Sequence, residues 1–318
     1  MTRKLTDQEF IAEFKRYNHI ENMSKATGLS LRGIYMRRKR LEAKYGILLE
    51  ASRPPPAPRN KAHVTKVGYR ITEDVSGVVV VFGDAHIWPN ERSVAFDALI
   101  KLIPRLNPKM VICDGDSFDG ARISRHAPGG WANLPDVADE LAAVQEHHAE
   151  IEAVAPAECK LIWTLGNHDS RFTSKLAQHA PDYVRVHGMD ITDHFPAWNF
   201  AWSVWLNGHT VIKHRHHQGI HAAFQNVLKG GKNIATGHTH RLQAVMFSDY
   251  NGLRWGIECG TVSEYGTESD KFAYAEDNPM NHCQGFMVLT FDKAGMLLEP
   301  EPCRVINGKA YFRGEVVQ

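Results

Sequence analysis

The chain has no long hydrophobic run: in 318 residues the longest uninterrupted apolar stretch is Val78–Phe82, far short of the roughly 18 residues a membrane span needs. It opens without a signal-peptide pattern, because Met1–Phe10 is polar and charged rather than basic and then apolar. Cysteine is scarce, with five residues and no C-x-x-C pair. That number and spacing argue against a disulfide framework and for a reducing compartment. The expectation is a cytoplasmic protein, of a bacterium or a phage-infected host, with no membrane partner. Net charge is also nearly absent at +1, which taken whole gives no electrostatic reason to meet nucleic acid. What is present, 43% hydrophobic against 23% charged residues, is enough for a sizeable core and excludes wholesale disorder and collagen. The length suggests roughly two domains.

The near-neutral total conceals two unlike pieces. Residues 1–66 carry 15 Lys/Arg against 6 Asp/Glu, a net of +9, and the other 252 carry 22 against 30, a net of −8. Near the join, Pro54, Pro55, Pro56 and Pro58 remove backbone donors and impose extended polyproline geometry. This predicts a basic module over 1–50, a proline-rich linker over 51–63 and an acidic domain over 64–318.

In the basic module Phe10, Phe14, Tyr17, Met23, Ile34, Met36 and Leu41 fall at helical spacing. Gly28 suits a left-handed turn, and Ser30 suits the cap of a following helix. The pattern resembles the helix-turn-helix DNA-binding family, with small Ser24 four before the turn glycine and branched Ile34 six after it. Where that family usually has an apolar residue three after Ile34, this chain has Arg37. By this resemblance Arg32, Arg37, Arg38, Lys39 and Arg40 would decorate the recognition helix and contact DNA. A solvated face on a protein-docking module is the alternative.

From Gly77 short apolar strands alternate with helical stretches. Strands are expected at Val78–Phe82, Met110–Cys113 and Lys160–Leu165, with helices at Glu91–Leu106 and Pro135–Val154, which predicts parallel strands. Later, Asn207-Gly208, Asn251-Gly252 and Asn307-Gly308 signal hairpins between alternating segments, so an antiparallel second half is expected. Each predicted strand end carries oxygen or imidazole groups: Asp84-Ala85-His86, Gly115-Asp116-Ser117-Phe118-Asp119, Gly166-Asn167-His168-Asp169, His214, and Gly237-His238-Thr239-His240. In α/β sheets the carboxyl ends of strands line one crevice, so these groups should converge.

With 17 Asp and 18 His in the chain, about one D-x-H arises by chance, so a lone match means little. The ordered series D-x-H, G-D-x-x-D, G-N-H-D, H and G-H-x-H resembles the calcineurin-like metallophosphoesterase superfamily from about Val64 to the C-terminus. That resemblance implies an α/β fold, a two-sheet sandwich flanked by helices and here preceded by a small all-α module. It implies two divalent metal ions. Asp116 would be the shared ligand, Asp84, His86 and His240 would complete one site, and Asn167, His214 and His238 the other. Mixed oxygen and imidazole ligands suit Mn²⁺ first, with Fe, Zn²⁺, Co²⁺ or Ni²⁺ as alternatives. A metal-bridging hydroxide would attack phosphorus with His168 as general acid and Asp169 orienting its ring, while Arg171 would reach a phosphate oxygen or else be a surface residue. Asp119 reads as an outer, orienting group.

The ligand histidine after the fourth strand is less defined. Arg215 occupies the family's glycine place, and strand alternation leaves both His214 and His216 able to face the metal; Arg215 would then point into the cleft. Histidines outside the motifs, His126, His148 and His282 among them, read as surface or structural residues. Trp88 and Trp131 follow motif strands and are candidates for the rim.

The metal motifs do not choose a substrate. A basic helical module tethered to a phosphoesterase points to DNA, hence to a phosphodiesterase, nuclease or end-processing enzyme of phage or bacterial DNA metabolism. A compact phage-type phosphoprotein phosphatase and an inactive DNA-binding regulator are the alternatives. The acidity of the second piece opposes DNA binding, although two dications would bring its −8 to about −4.

Overall fold

A computed structural model describes residues 5–17, 20–47, 49, 68–126, 132–265, 271–272 and 281–317. The chain divides into two compact units, 1–64 and 65–318; the expected linker, 51–63, lies outside the described residues. Among the described residues no helix is long and apolar enough to cross a membrane.

The first unit holds three helices, α1 (Asp7–Tyr17), α2 (Ile20–Thr27) and α3 (Leu31–Tyr45). Thr6 and Glu9 form a reciprocal capping box at the start of α1. Gly28 takes φ +70°, the left-handed turn its sequence position calls for. The Ser30 hydroxyl then accepts from the Gly33 N–H and starts α3. Phe10, Phe14, Met23, Ile34, Leu41 and Leu49 form the core. Met36, expected inside, is 59% exposed, because Ile34 and Leu41, seven apart, already define the inner face.

The second unit stacks an eight-stranded sheet on a six-stranded one. The first has the order β14 (Glu315–Val316), β13 (Lys309–Phe312), β12 (Glu301–Ile306), β11 (Gly285–Phe291), β2 (Gly77–Phe82), β3 (Met110–Cys113), β4 (Lys160–Thr164), β5 (Asn199–Ala201), and the second β1 (Ile71–Glu73), β6 (Val204–Leu206), β7 (Thr210–Ile212), β8 (Asn233–Thr236), β10 (Gly252–Cys259), β9 (Leu242–Asp249). The central strands are β2 (Gly77–Phe82), β3 (Met110–Cys113) and β4 (Lys160–Thr164), all parallel. The Val78–Phe82 run is continuous because both its faces are covered. Val79 and Val81 join Ile112, Ile212 and Ala235 between the sheets. Val80 and Phe82 pack beneath α4 (Val94–Leu106) and α5 (Val137–Val154).

In the second sheet, β6 (Val204–Leu206) and β7 (Thr210–Ile212) form a hairpin at Asn207-Gly208, and β9 (Leu242–Asp249) and β10 (Gly252–Cys259) form another at Asn251-Gly252. The Asn307-Gly308 turn joins β12 (Glu301–Ile306) to β13 (Lys309–Phe312). The expected antiparallel half is nevertheless mixed: β7 pairs parallel with β8 (Asn233–Thr236), and β8 parallel with β10. α7 (Ala222–Gly230), a crossover helix that sequence reading passed over, makes β7 and β8 parallel, and β9, at the sheet edge, leaves β10 beside β8. The carboxyl ends of β2, β3 and β4 in one sheet and of β7 and β8 in the other are the strand ends that carry the motifs. Cys113, Cys259 and Cys303 are buried and all five cysteines are free.

Candidate metal centre

The strand-end loops are tight, and five of their polar residues have left-handed backbone: Asp84 (φ 50°), His86 (40°), Asp116 (53°), His238 (68°) and His240 (56°). Such conformations cost about 1–3 kcal/mol each at non-glycine residues and persist where the surroundings enforce them, typically at functional sites. The motif glycines have a steric reason. A Cβ on Gly166 would lie 1.9 Å from Asp116 Oδ1, and one on Gly237 would lie 2.5 Å from Asp84 Oδ2.

Three overlapping groups of donors result, one of them His86, Asp116 and His168. His240 Nε2 lies 3.2 Å from Asp84 Oδ1 and 3.2 Å from His86 Nε2. His214 Nε2 lies 3.0 Å from Asp116 Oδ2, and Asp116, His214 and His238 offer ligand atoms all within 4.8 Å of one another. Asp84, His86 and His240 do the same. Backbone N–H groups aim the carboxylates: His168 N–H donates to Asp116 Oδ1 (2.7 Å) and His238 N–H to Asp84 Oδ2 (2.8 Å). The Asp114 carbonyl accepts from His214 Nδ1 at 2.7 Å, which turns Nε2 inward.

The donor set fits divalent cations. Asn167 Oδ1 is buried without a hydrogen-bond partner among the described residues, as expected of a ligand atom facing an ion rather than a proton donor, and His214 Nε2 faces the Asp116 carboxylate. Burial opposes ionisation of Asp116, yet His214, His168 and His86 outweigh it and hold the carboxyl below its usual range. Burial likewise opposes a charged His214, but Asp116 and Asp84 push it up to about 10. A cavity that holds a proton so tightly between carboxylates favours positive charge. Burial lowers His86 and His238 to about 4 each, leaving neutral imidazoles suited to ligation.

The structure leaves His216 out of this cluster. β7 ends at Ile212, so strand alternation does not extend to residue 216. His214 is buried and His216 is exposed.

The expected orienting role of Asp169 is corrected. Its Oδ2 accepts from the N–H groups of Asp116 and Gly166 and from the Trp163 indole, and its Oδ1 from Phe118 N–H. Those bonds leave Asp169 bracing the β3 and β4 loops. The carboxylate on the His168 ring is Asp119, with Oδ1 2.6 Å from Nδ1; the same oxygen lies 3.2 Å from His86 Nδ1, and its Oδ2 accepts from Trp88 Nε1 at 3.0 Å. Burial works against a charged His168, but this bond and the charge of Asp116 raise its pKa. Arg171 donates to the Asp119 carbonyl (2.8 Å) and places Nη2 3.0 Å from His168 Nε2.

Sequence reading missed Glu140 on α5, whose Oε1 accepts from Asp119 N–H and Gly120 N–H at 2.6 Å each. Burial, then Asp119, push its carboxyl up to about 8. The available signal was an acid on the face of α5 that also buries Ala143, Val144 and Ile151. Of the other histidines, His148 is core, its ring stacked on Trp163, whereas the His282 ring lies 4.4 Å from that of His240. Trp88 is buried, and Trp131 lies outside the described residues.

The residues expected to contact DNA divide. Arg37 donates to the Leu5 carbonyl and Asp7 and sits over the Phe10 ring, doing the packing work of the apolar residue it replaces. Arg38 pairs with Glu42. Both are half-buried and engaged, so neither is free to reach a phosphate without breaking these bonds. Lys39 and Arg40 are exposed, although Arg40 also approaches Asp7 at 3.6 Å. The Arg32 side chain lies outside the described residues.

A stacked pair of sheets that gathers carboxylate, amide and imidazole donors at its strand ends defines a metal-dependent hydrolase. The family model for calcineurin-like phosphoesterases matches residues 77–255, and the chain belongs to that family, whose members are metal-dependent phosphoester hydrolases. No curated protein matches it. Similar solved structures include zinc-complexed Vps29 from Entamoeba histolytica, at 13% identity and TM-score 0.40, covering 76% of this chain and 99% of that one. A novel archaeal phosphodiesterase follows at 15% and 0.35, covering 72% and 99%. Yfce, a phosphoesterase from E. coli, stands at 14% and 0.33, covering 70% and 97%.

Proposed function

We propose that the protein is a two-metal phosphodiesterase acting on DNA, its domain 64–318 carrying the chemistry and its module 1–50 holding the substrate. The observation that carries the chemistry is the gathering of Asp84, His86 and His240 and of Asp116, His214 and His238 in two clusters, with Asn167 Oδ1 buried and unpartnered among the described residues. Asp84, His86 and His240 would hold one cation, Asn167, His214 and His238 the other, and Asp116 both. Mn²⁺ is the first candidate. When bound, two such ions neutralise phosphate oxygens and activate water for in-line displacement.

The chain's own residues do the rest. Asp119 fixes the His168 ring through Nδ1 and raises its pKa, so that Nε2 can carry a proton to the leaving oxygen. Once Nε2 carries a proton it no longer accepts from Arg171, whose guanidinium is then released toward a phosphate oxygen. The DNA reading is supported by the +9 charge of the N-terminal piece and by its turn between α2 and α3, with Lys39 and Arg40 exposed on α3. Tethering would raise the local DNA concentration at the site.

The test is a substrate screen of the Mn²⁺-loaded full chain. Hydrolysis of bis-p-nitrophenyl phosphate and cleavage of DNA, both lost in Asp116→Asn, support the reading. Activity on phosphopeptides alone overturns it. His168→Ala should keep its metals and lose turnover; equal loss of metal would refute the assignment of the acid.

A further inference from the structure

Beside Asn167 and His168 opens a cleft of about 500 Å³, bordered by the exposed face of α6 (Asp169–His179). Arg125, Arg171, Lys175 and Arg215 line it, and no carboxylate does among the described residues. Arg125, Lys175 and Arg215 are exposed and form no ion pair among the described residues. In a domain of net charge −8, Arg125, Lys175 and Arg215, placed beside Arg171 at the mouth of the candidate metal centre, are not explained by folding. Arg171 and Lys175 are four apart on α6, and the cleft continues to Gln178. From residue 170 to residue 178 a helix advances about 12 Å, more than one phosphate group needs. Among the described residues the lining contains one aliphatic residue, Ile123, and no Phe, Tyr or Trp.

We infer that this cleft is a track for the flanking phosphates of a nucleic-acid strand, which it grips by backbone charge without reading bases. The inference rests on the DNA reading above and specifies how the acidic domain itself meets the substrate. Repeated cations without apolar pockets suit a polyanion better than a phosphopeptide, whose mixed side chains would need apolar contacts as well. With His126 and His168 its only rings among the described residues, the cleft gives a run of bases little to stack on. Arg215 stands where the family has glycine, and the cleft gives it three cationic neighbours.

The test combines Arg125→Gln, Lys175→Gln and Arg215→Gln in the full-length Mn²⁺-loaded protein. The probes are a short single-stranded oligonucleotide of mixed sequence and bis-p-nitrophenyl phosphate. Three single-strand phosphate contacts make log K fall with log[salt] by a slope of about 2, worth about 100-fold between 1 M and 0.1 M salt. The triple variant should therefore raise KM for the oligonucleotide about 100-fold at low salt and flatten its salt slope by about 2. Its kcat/KM for the small ester should stay within about twofold. Unchanged oligonucleotide KM and salt slope would overturn the cleft inference while leaving the DNA reading intact. A wild-type protein that hydrolyses the small ester but no nucleic acid would overturn the DNA reading itself. Selective loss of phosphopeptide hydrolysis in the triple variant would assign the cleft to the other polymer and likewise overturn the inference.

Discussion

Asp119→Asn is the sharpest perturbation of the chemistry, because one carboxylate serves three groups: His168 Nδ1 at 2.6 Å, His86 Nδ1 at 3.2 Å and Trp88 Nε1 at 3.0 Å. Asparagine keeps the volume but has one acceptor and one NH₂. If its oxygen faces the imidazoles, the NH₂ meets the Trp88 N–H donor. If it is flipped, the NH₂ meets both imidazole Nδ1 atoms and shifts the His86 proton onto Nε2, the atom that faces Asp84 and His240. The first arrangement leaves buried donors facing each other, at about 1–3 kcal/mol, and the second turns a proton toward the ligand side of His86. Metal affinity should fall about 10–100-fold, the usual cost of losing an outer partner of a ligand histidine. At saturating metal a kcat deficit of about 10²–10⁴ should remain, since His168 has lost its anchor and tautomer. Because Asp119 raises the His168 pKa, the alkaline limb of the pH–rate profile should move to lower pH. The assay is bis-p-nitrophenyl phosphate hydrolysis titrated with Mn²⁺, alongside metal analysis of the purified variant. A kcat within about threefold of wild type at saturating metal would refute the orienting role, all the more if folded Asp169→Asn were the inactive variant.

Gly166→Ala should act through contact alone: its Cβ would fall 1.9 Å from Asp116 Oδ1, so we expect about 1–3 kcal/mol lost in denaturant unfolding and weaker metal binding. Gly219, with nothing within 4 Å, is the control, and Gly219→Ala should change stability by less than about 0.5 kcal/mol. Glu140 predicts a pH dependence of stability. Its folded carboxyl is raised from 4.5 to about 8, so the folded state retains a proton that the unfolded chain releases first. The stability this confers is complete below about pH 4.5 and is lost as pH climbs through 8, at most about 5 kcal/mol. Unfolding of Glu140→Gln measured across that range should gain on wild type as pH rises; a constant difference would contradict the burial argument. Deleting residues 1–60 should leave small-ester hydrolysis unchanged while weakening DNA affinity and flattening its salt dependence; unchanged DNA binding would make the N-terminal unit a docking module.

The fold was legible where the signal was local. Val78–Phe82 gave away a strand covered on both faces, and three Asn-Gly pairs gave away three hairpins. The parallel pairing of β7 and β8 was not legible, because it depends on the helix at Ala222–Gly230, nine residues too short for their spacing to stand out, and that of β8 and β10 depends on β9 taking the sheet edge. In the site, the motif spacing named residues that converge. It did not reveal which carboxylate holds which ring: Asp119 and Asp169 both stand near His168 in sequence or in motif, and only the path of the loops decides between them. Arg37 shows the same limit. Composition marks it as a free cation, while the carbonyl of Leu5, the carboxylate of Asp7 and the ring of Phe10, some thirty residues earlier, make it part of the core.

The central claim is that Asp84, His86, Asp116, Asn167, His214, His238 and His240 together hold two cations. Metal analysis of the full chain after equilibration with Mn²⁺ and removal of free ions tests it directly. The account predicts two ions per chain in the wild type, at most one in Asp116→Asn, and loss of bis-p-nitrophenyl phosphate hydrolysis with the missing ion. Two ions retained by Asp116→Asn, or no more than one in an active wild type, would contradict it.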